Sequence, residues 1–85
     1  MLRITELKLP LDHAEPALRA AVLAKLGLAD AQLAGVSVFR RAWDARKKSA
    51  VVLIYTVDVQ LADGMDEAAV LARFARDHHI RPTPD

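Results

Sequence analysis

From Val51 to Leu61 the chain alternates: Val51, Leu53, Tyr55, Val57, Val59 and Leu61 fall on one side without a gap. A repeat of two is that of a β-strand, whose successive side chains point to opposite faces. The other side opens apolar with Val52 and Ile54, then turns polar at Thr56, Asp58 and Gln60. A strand apolar on both sides over its first half belongs inside a sheet. An interior strand needs a neighbour on each side, so the rest of the chain must supply them.

Two segments qualify. Leu2 to Leu11 is apolar at 2 and 4 and again at 7, 9 and 11, which predicts a strand with a bulge near Thr5–Glu6 where the phase slips. Val36 to Trp43 is rich in strand formers, with Ser37, Phe39, Arg41 and Trp43 expected on one face and Val36, Val38, Arg40 and Ala42 on the other. The polar residues 44–49 would join this strand to the next. His78 to Asp85 contains Pro82 and Pro84, which suit at best a short edge strand running into a linker.

Between these lie two helical patterns. Leu18, Val22 and Leu26 recur every fourth residue, so residues 13–26 read as an amphipathic helix. Asp12 and Glu15 have the spacing of a capping box, Pro16 suits the first turn, and Gly27 with Leu28 closes the far end. Ala29 to Leu33 is a short connector with room for one turn started by Asp30. After the Asp63-Gly64 turn, Asp66 caps a second helix through about Asp77, with Val70, Leu71 and Phe74 inward and Arg73 and Arg76 outward. The order βαββαβ predicts an α+β, ferredoxin-like sandwich: a four-stranded antiparallel sheet with two helices on one face. With 85 residues this is one domain, residues 1–81, and 82–85 begin a linker.

Hydrophobic residues make up 53% of the chain, enough for a core, and disorder is not indicated. The lack of cysteine removes disulfide scaffolds, thiolate metal sites and cysteine nucleophiles together. Charges at Arg3 and Glu6 interrupt the place where a signal peptide needs an apolar centre. No apolar run nears the ~18 residues of a membrane span, so the expected location is the cytoplasm.

Few residues point to chemistry. Gly27, Gly35 and Gly64 are isolated, and neither the dinucleotide fingerprint nor a P-loop can be drawn from them. His13, His78 and His79 are the metal-ligand candidates, but adjacent histidines on a helix diverge rather than share an ion. They read as surface or helix-end residues, and no metal is expected. Asp44 and Asp58 are candidate acid–base groups by their position near strands. The cations around Asp44 favour its ionised form, and a local ion pair with Arg41 or Arg46 accounts for it. No Ser–His–Asp set can be assembled, so the chain itself is expected not to be an enzyme.

The charge is uneven. Arg40, Arg41, Arg46, Lys47 and Lys48 stand against Asp44 alone, within a chain of net charge +1. With Trp43 among them they form the candidate interaction site. Cations beside an indole are what a nucleic-acid surface uses, attracting phosphates and stacking bases. The strand order is also that of the RNA-recognition motif, which places aromatic residues on its central strands; here the first strand has none and the third only Tyr55. Two other readings stand beside RNA or DNA binding: a solvated hairpin whose charges suppress edge pairing, and a docking surface for an acidic partner or neighbouring domain.

Across all 85 residues the chain resembles the N-terminal domain of a group of bacterial FAD-dependent dehydrogenases. The resemblance rests on ITELKLPLD from Ile4 to Asp12, on Leu26-Gly-Leu28, and on VFRRAWDARKK from Val38 to Lys48. It continues in IYTVDV from Ile54 to Val59 and RPTPD from Arg81 to Asp85. In that family a FAD-binding fold follows this segment, opening with the glycine-rich fingerprint. The resemblance therefore implies a flavoprotein oxidoreductase as the parent, with FAD held outside this chain and no catalytic or FAD-binding residue within it. It further implies an accessory domain that docks on the C-terminal flavin domain of the same protein, or on a partner, through the Arg40–Lys48 segment.

Overall fold

The computed structural model describes residues 1–84 other than 12, 15, 48 and 49, without the side chains of 45–47 and 50. Its elements are β1 (Leu2–Pro10), α1 (Ala17–Leu26), a single 3-10 turn over Asp30–Gln32, β2 (Leu33–Lys47), β3 (Ala50–Leu61), α2 (Glu67–Arg73) and β4 (Ile80–Pro82). The strands form one antiparallel sheet in the order β2-β3-β1-β4, so the alternating strand β3 is interior as its composition requires. The βαββαβ order and this arrangement are those of the ferredoxin-like sandwich.

The core follows the alternation. Leu53, Tyr55, Val57 and Val59 of β3 are buried, and opposite them in β1 stand Leu9, Leu7, Ile4 and Leu2. Val22 and Leu26 of α1, Val70 of α2 and Ile80 of β4 complete the same cluster, which places both helices on one face. The bulge in β1 falls between Ile4 and Leu7, where Glu6 has φ 56°. Thr5 turns there toward the last strand: its amide donates to the His79 carbonyl at 2.8 Å, and its hydroxyl lies 3.0 Å from His79 Nδ1.

Three elements depart from their expected bounds by several residues. Helix α1 starts at Ala17, not at residue 13, with Pro16 as its N-cap (φ −74°); the expected cap at Asp12 and Glu15 lies outside the described residues. Helix α2 is capped by Asp66 as expected, its carboxylate accepting from the Ala68 and Ala69 amides, but ends at Arg73. Asp77 does not continue it: its carboxylate accepts from the His79 amide at 2.9 Å and pairs with Lys25 at 3.0 Å, a local turn that competes with helix. Strand β2 is longer than Val36–Trp43 at both ends, and its ladder runs to the pair Lys47–Ala50. Backbone pairing with β3 carries the polar residues 44–47 into the sheet, so only 48 and 49 lie between the strands.

Candidate functional site: the exposed edge strand

Strand β2 lies at the edge of the sheet, and α1 and α2 lie against β1 and β4. Neither of its faces is fully covered. Val38, Phe39 and Trp43 are 52%, 61% and 67% exposed, and Ser37, Arg40 and Arg41 are exposed beside them. In β3 next to it every residue from Val51 to Val59 is buried or half-buried.

Register decides which side each residue serves. Val36 and Val38 stand opposite Val59 and Val57, on the helix side of the sheet. The ladder then shifts between Val38 and Arg40, and beyond the shift Arg41 stands opposite Tyr55 and Trp43 opposite Leu53. Arg41 and Trp43 are therefore on the helix side, flanking the core. Arg40, Ala42 and Asp44 stand opposite Thr56, Ile54 and Val52, on the open side. The expectation that Ser37 and Phe39 share a face with Arg41 and Trp43 is thus corrected: the bulge at Phe39 inserts one residue and exchanges the faces.

The expected interaction residues consequently do not form one surface. Arg41 and Trp43 come together on the helix side, and Arg40 and Asp44 project from the other. Arg46, Lys47 and Lys48 lie outside the described side chains. Among the described residues neither Arg40 nor Arg41 has an anionic partner. Asp44 sits on the opposite face of the strand from Arg41, which removes Arg41 as its expected partner.

The open side holds a network that no spacing in the sequence announces. Arg3 grips Asp58 across the β1–β3 pair, Nε to Oδ1 at 2.8 Å and Nη2 to Oδ2 at 3.2 Å. Thr83 adds a hydroxyl donor to Asp58 Oδ1 at 3.1 Å, and its amide donates to the Met1 carbonyl at 2.9 Å. The guanidinium of Arg3 also lies 3.9 Å from the centre of the Phe39 ring, a cation–π contact reaching β2. Above all the Arg3 hydrogen bond, then that of Thr83 and the nearby positive charges, hold Asp58 below the usual carboxylate range against the opposing effect of burial. A carboxylate so held keeps its charge near neutral pH and is a poor proton carrier. Asp58 is a structural ion pair.

The histidines are dispersed. His13 Nδ1 lies 2.7 Å from the Pro10 carbonyl oxygen, which only accepts, so Nδ1 bears the proton. Nε2 is then free to accept from the Tyr55 hydroxyl at 3.2 Å, which satisfies the polar end of a core residue. The His78 and His79 rings are 6.4 Å apart at 80° to one another, as adjacency predicts. Among the described residues no group of three or more His, Asp or Glu gathers in one place. Gly27 closes α1, Gly35 lies within β2 and Gly64 in the turn after β3, so no two line one loop. They do not fit the backbone cradle that a dinucleotide requires.

Fold and surface together define a small α+β sandwich whose accessible features lie on an uncovered edge strand. The chain belongs to a family described as a domain of unknown function, DUF8436, which matches it over residues 1–60. That span covers β1 through nearly all of β3, including the whole of the edge strand. No curated protein matches the chain. Among the described residues no helix is long and apolar enough to cross a membrane.

Proposed function

We propose that the chain is a non-catalytic accessory domain of a cytoplasmic FAD-dependent oxidoreductase. It docks through the Arg41–Trp43 side of β2 on the flavin domain of the same protein or on an acidic protein partner. The observation that supports docking is Trp43, 67% exposed at the rim of the core, on the same face as Arg41, which has no anionic partner among the described residues. Tryptophan and arginine are the side chains that most often dominate interfaces, since both bury much area with few unsatisfied groups. The flavin parentage rests on the whole-chain resemblance, and FAD would be held by the fold that follows this segment in the resembled proteins.

The test is a visible absorption spectrum of the product of the uninterrupted natural gene beside that of this chain. A flavin spectrum in the first and none in the second is the expected result. A gene product that carries no flavin would refute the parentage.

One observation favours a second reading, RNA or DNA binding: Phe39, its ring against Arg3, and Arg40 lie on the open side of the sheet. Such a surface would bind with an affinity that falls steeply with salt. The absence of any gel shift with single- or double-stranded nucleic acid at low salt would remove it.

A further inference from the structure

We propose that the outer edge of β2 takes up an extended acidic segment of a partner as an added strand. This deepens the docking reading and rests on it. Three observations converge on the edge. Strand β2 pairs with β3 alone, from Leu33 to Lys47, so one side of its backbone faces away from the sheet over most of its length. Arg19 Nη2 donates to the Leu33 carbonyl at 2.8 Å, at the very start of the strand; beyond it no bond to the outer edge is made among the described residues.

The second observation is the apolar character of the edge. Natural edges are blunted by charge, proline and bulges, because bare strands recruit other strands. Here a bulge and two arginines are present, but so are Val38, Phe39 and Trp43, three of the five exposed large apolar residues among the described residues. A strand whose only task was to repel pairing would not need them. They supply what strand addition uses, alternate side-chain contacts flanking main-chain hydrogen bonds.

The third is charge. Arg40 and Arg41 lie on opposite faces and lack anionic partners among the described residues. An added strand with glutamate or aspartate on both faces would meet one arginine on each. A second copy of this chain pairing β2 on β2 would instead bring the arginines of both copies to one seam, which disfavours it.

The probe is a capped peptide of repeating Glu-Glu-Val-Val, about ten residues long, which puts glutamate on both faces of an added strand, mixed with the isotope-labelled chain. The controls are a lysine–valine peptide and a glutamate–valine peptide interrupted by prolines. Amide hydrogen exchange by NMR is expected to slow about tenfold or more at alternate positions between Ala34 and Asp44, those pointing away from β3. Neither control should do this. Arg40→Glu with Arg41→Glu should abolish the effect and make the lysine–valine peptide effective instead. Changes at Trp43 without slowed β2 amides would overturn strand addition while leaving docking in place. Equal slowing by both charged peptides, or no response, would overturn the proposal. So would a chain already dimeric by sedimentation with its β2 amides protected.

Discussion

Asp58 shows what a single residue contributes to this fold. It stands on β3 facing away from the core, and it joins β1 through Arg3 to the residue after β4 through Thr83. Because its carboxyl lies below the ordinary value of 3.8, folding favours the charged form. Its contribution to stability is therefore complete above that ordinary value and is lost as the pH falls through the lower folded value. Asp58→Asn should destabilise the chain at neutral pH and flatten the acid limb of the stability curve, measured by urea denaturation between neutral and strongly acidic pH. A variant with an unchanged acid limb would show that other carboxylates govern it. Asp77 is also held low, first by the His79 amide and then by Lys25, so the flattening will be partial.

At the scale of elements, two backbone positions with positive φ carry opposite expectations. Gly27 has φ 68° at the end of α1, where its amide donates to the Leu23 carbonyl, and an added Cβ would approach Arg73 Nη2 to 3.1 Å. Gly27→Ala should cost about 1–2 kcal/mol from the left-handed backbone alone. Glu6 has φ 56° in the β1 bulge without being glycine. Glu6→Gly relieves that strain but loosens the unfolded chain, so it should be close to neutral, within about 1 kcal/mol. Thermal denaturation of both variants checks the pair, and a destabilising Glu6→Gly would mean that the glutamate side chain holds the bulge.

The same scale shows what the sequence made legible. Alternation identified β3 and its neighbours because a half-buried strand must repeat every second residue, and the slip at Thr5–Glu6 marked the β1 bulge. The β2 bulge left no such mark. Around Phe39 both faces are exposed, so no apolar phase exists to slip, and Arg41 and Trp43 changed sides unannounced. Helix α2 ended early for a related reason: a side-chain-to-backbone bond at Asp77 outweighed a helical pattern too short to resist it. The basic residues could be found from composition, and alternation already divided Arg40 from Arg41, but which of the two shares the helix side with Val36 and Val38 is set by the bulge at Phe39. The Arg3–Asp58 grip is a cross-strand pair with partners far apart in sequence, and only the pairing of β1 with β3 brings them together.

The whole molecule is elongated, 44 × 24 × 22 Å, with helices near β1 and β4 and the long β2 edge left open. Such an arrangement places structural necessity on one side and availability on the other. Leu2, Ile4, Val22, Leu26, Val57 and Val59 are wholly buried, whereas Trp43, Phe39 and Val38 add nothing comparable to the core. The proposed docking would give that exposed set a role, and it requires β2 to be covered by the flavin domain or partner. The measurement is hydrogen–deuterium exchange by mass spectrometry over residues 33–44, in this chain and in the product of the uninterrupted natural gene. Slower exchange of that segment in the gene product, with β1 and β3 unchanged, is the result expected of a docked edge. Equal exchange in both would contradict docking on the rest of the same protein.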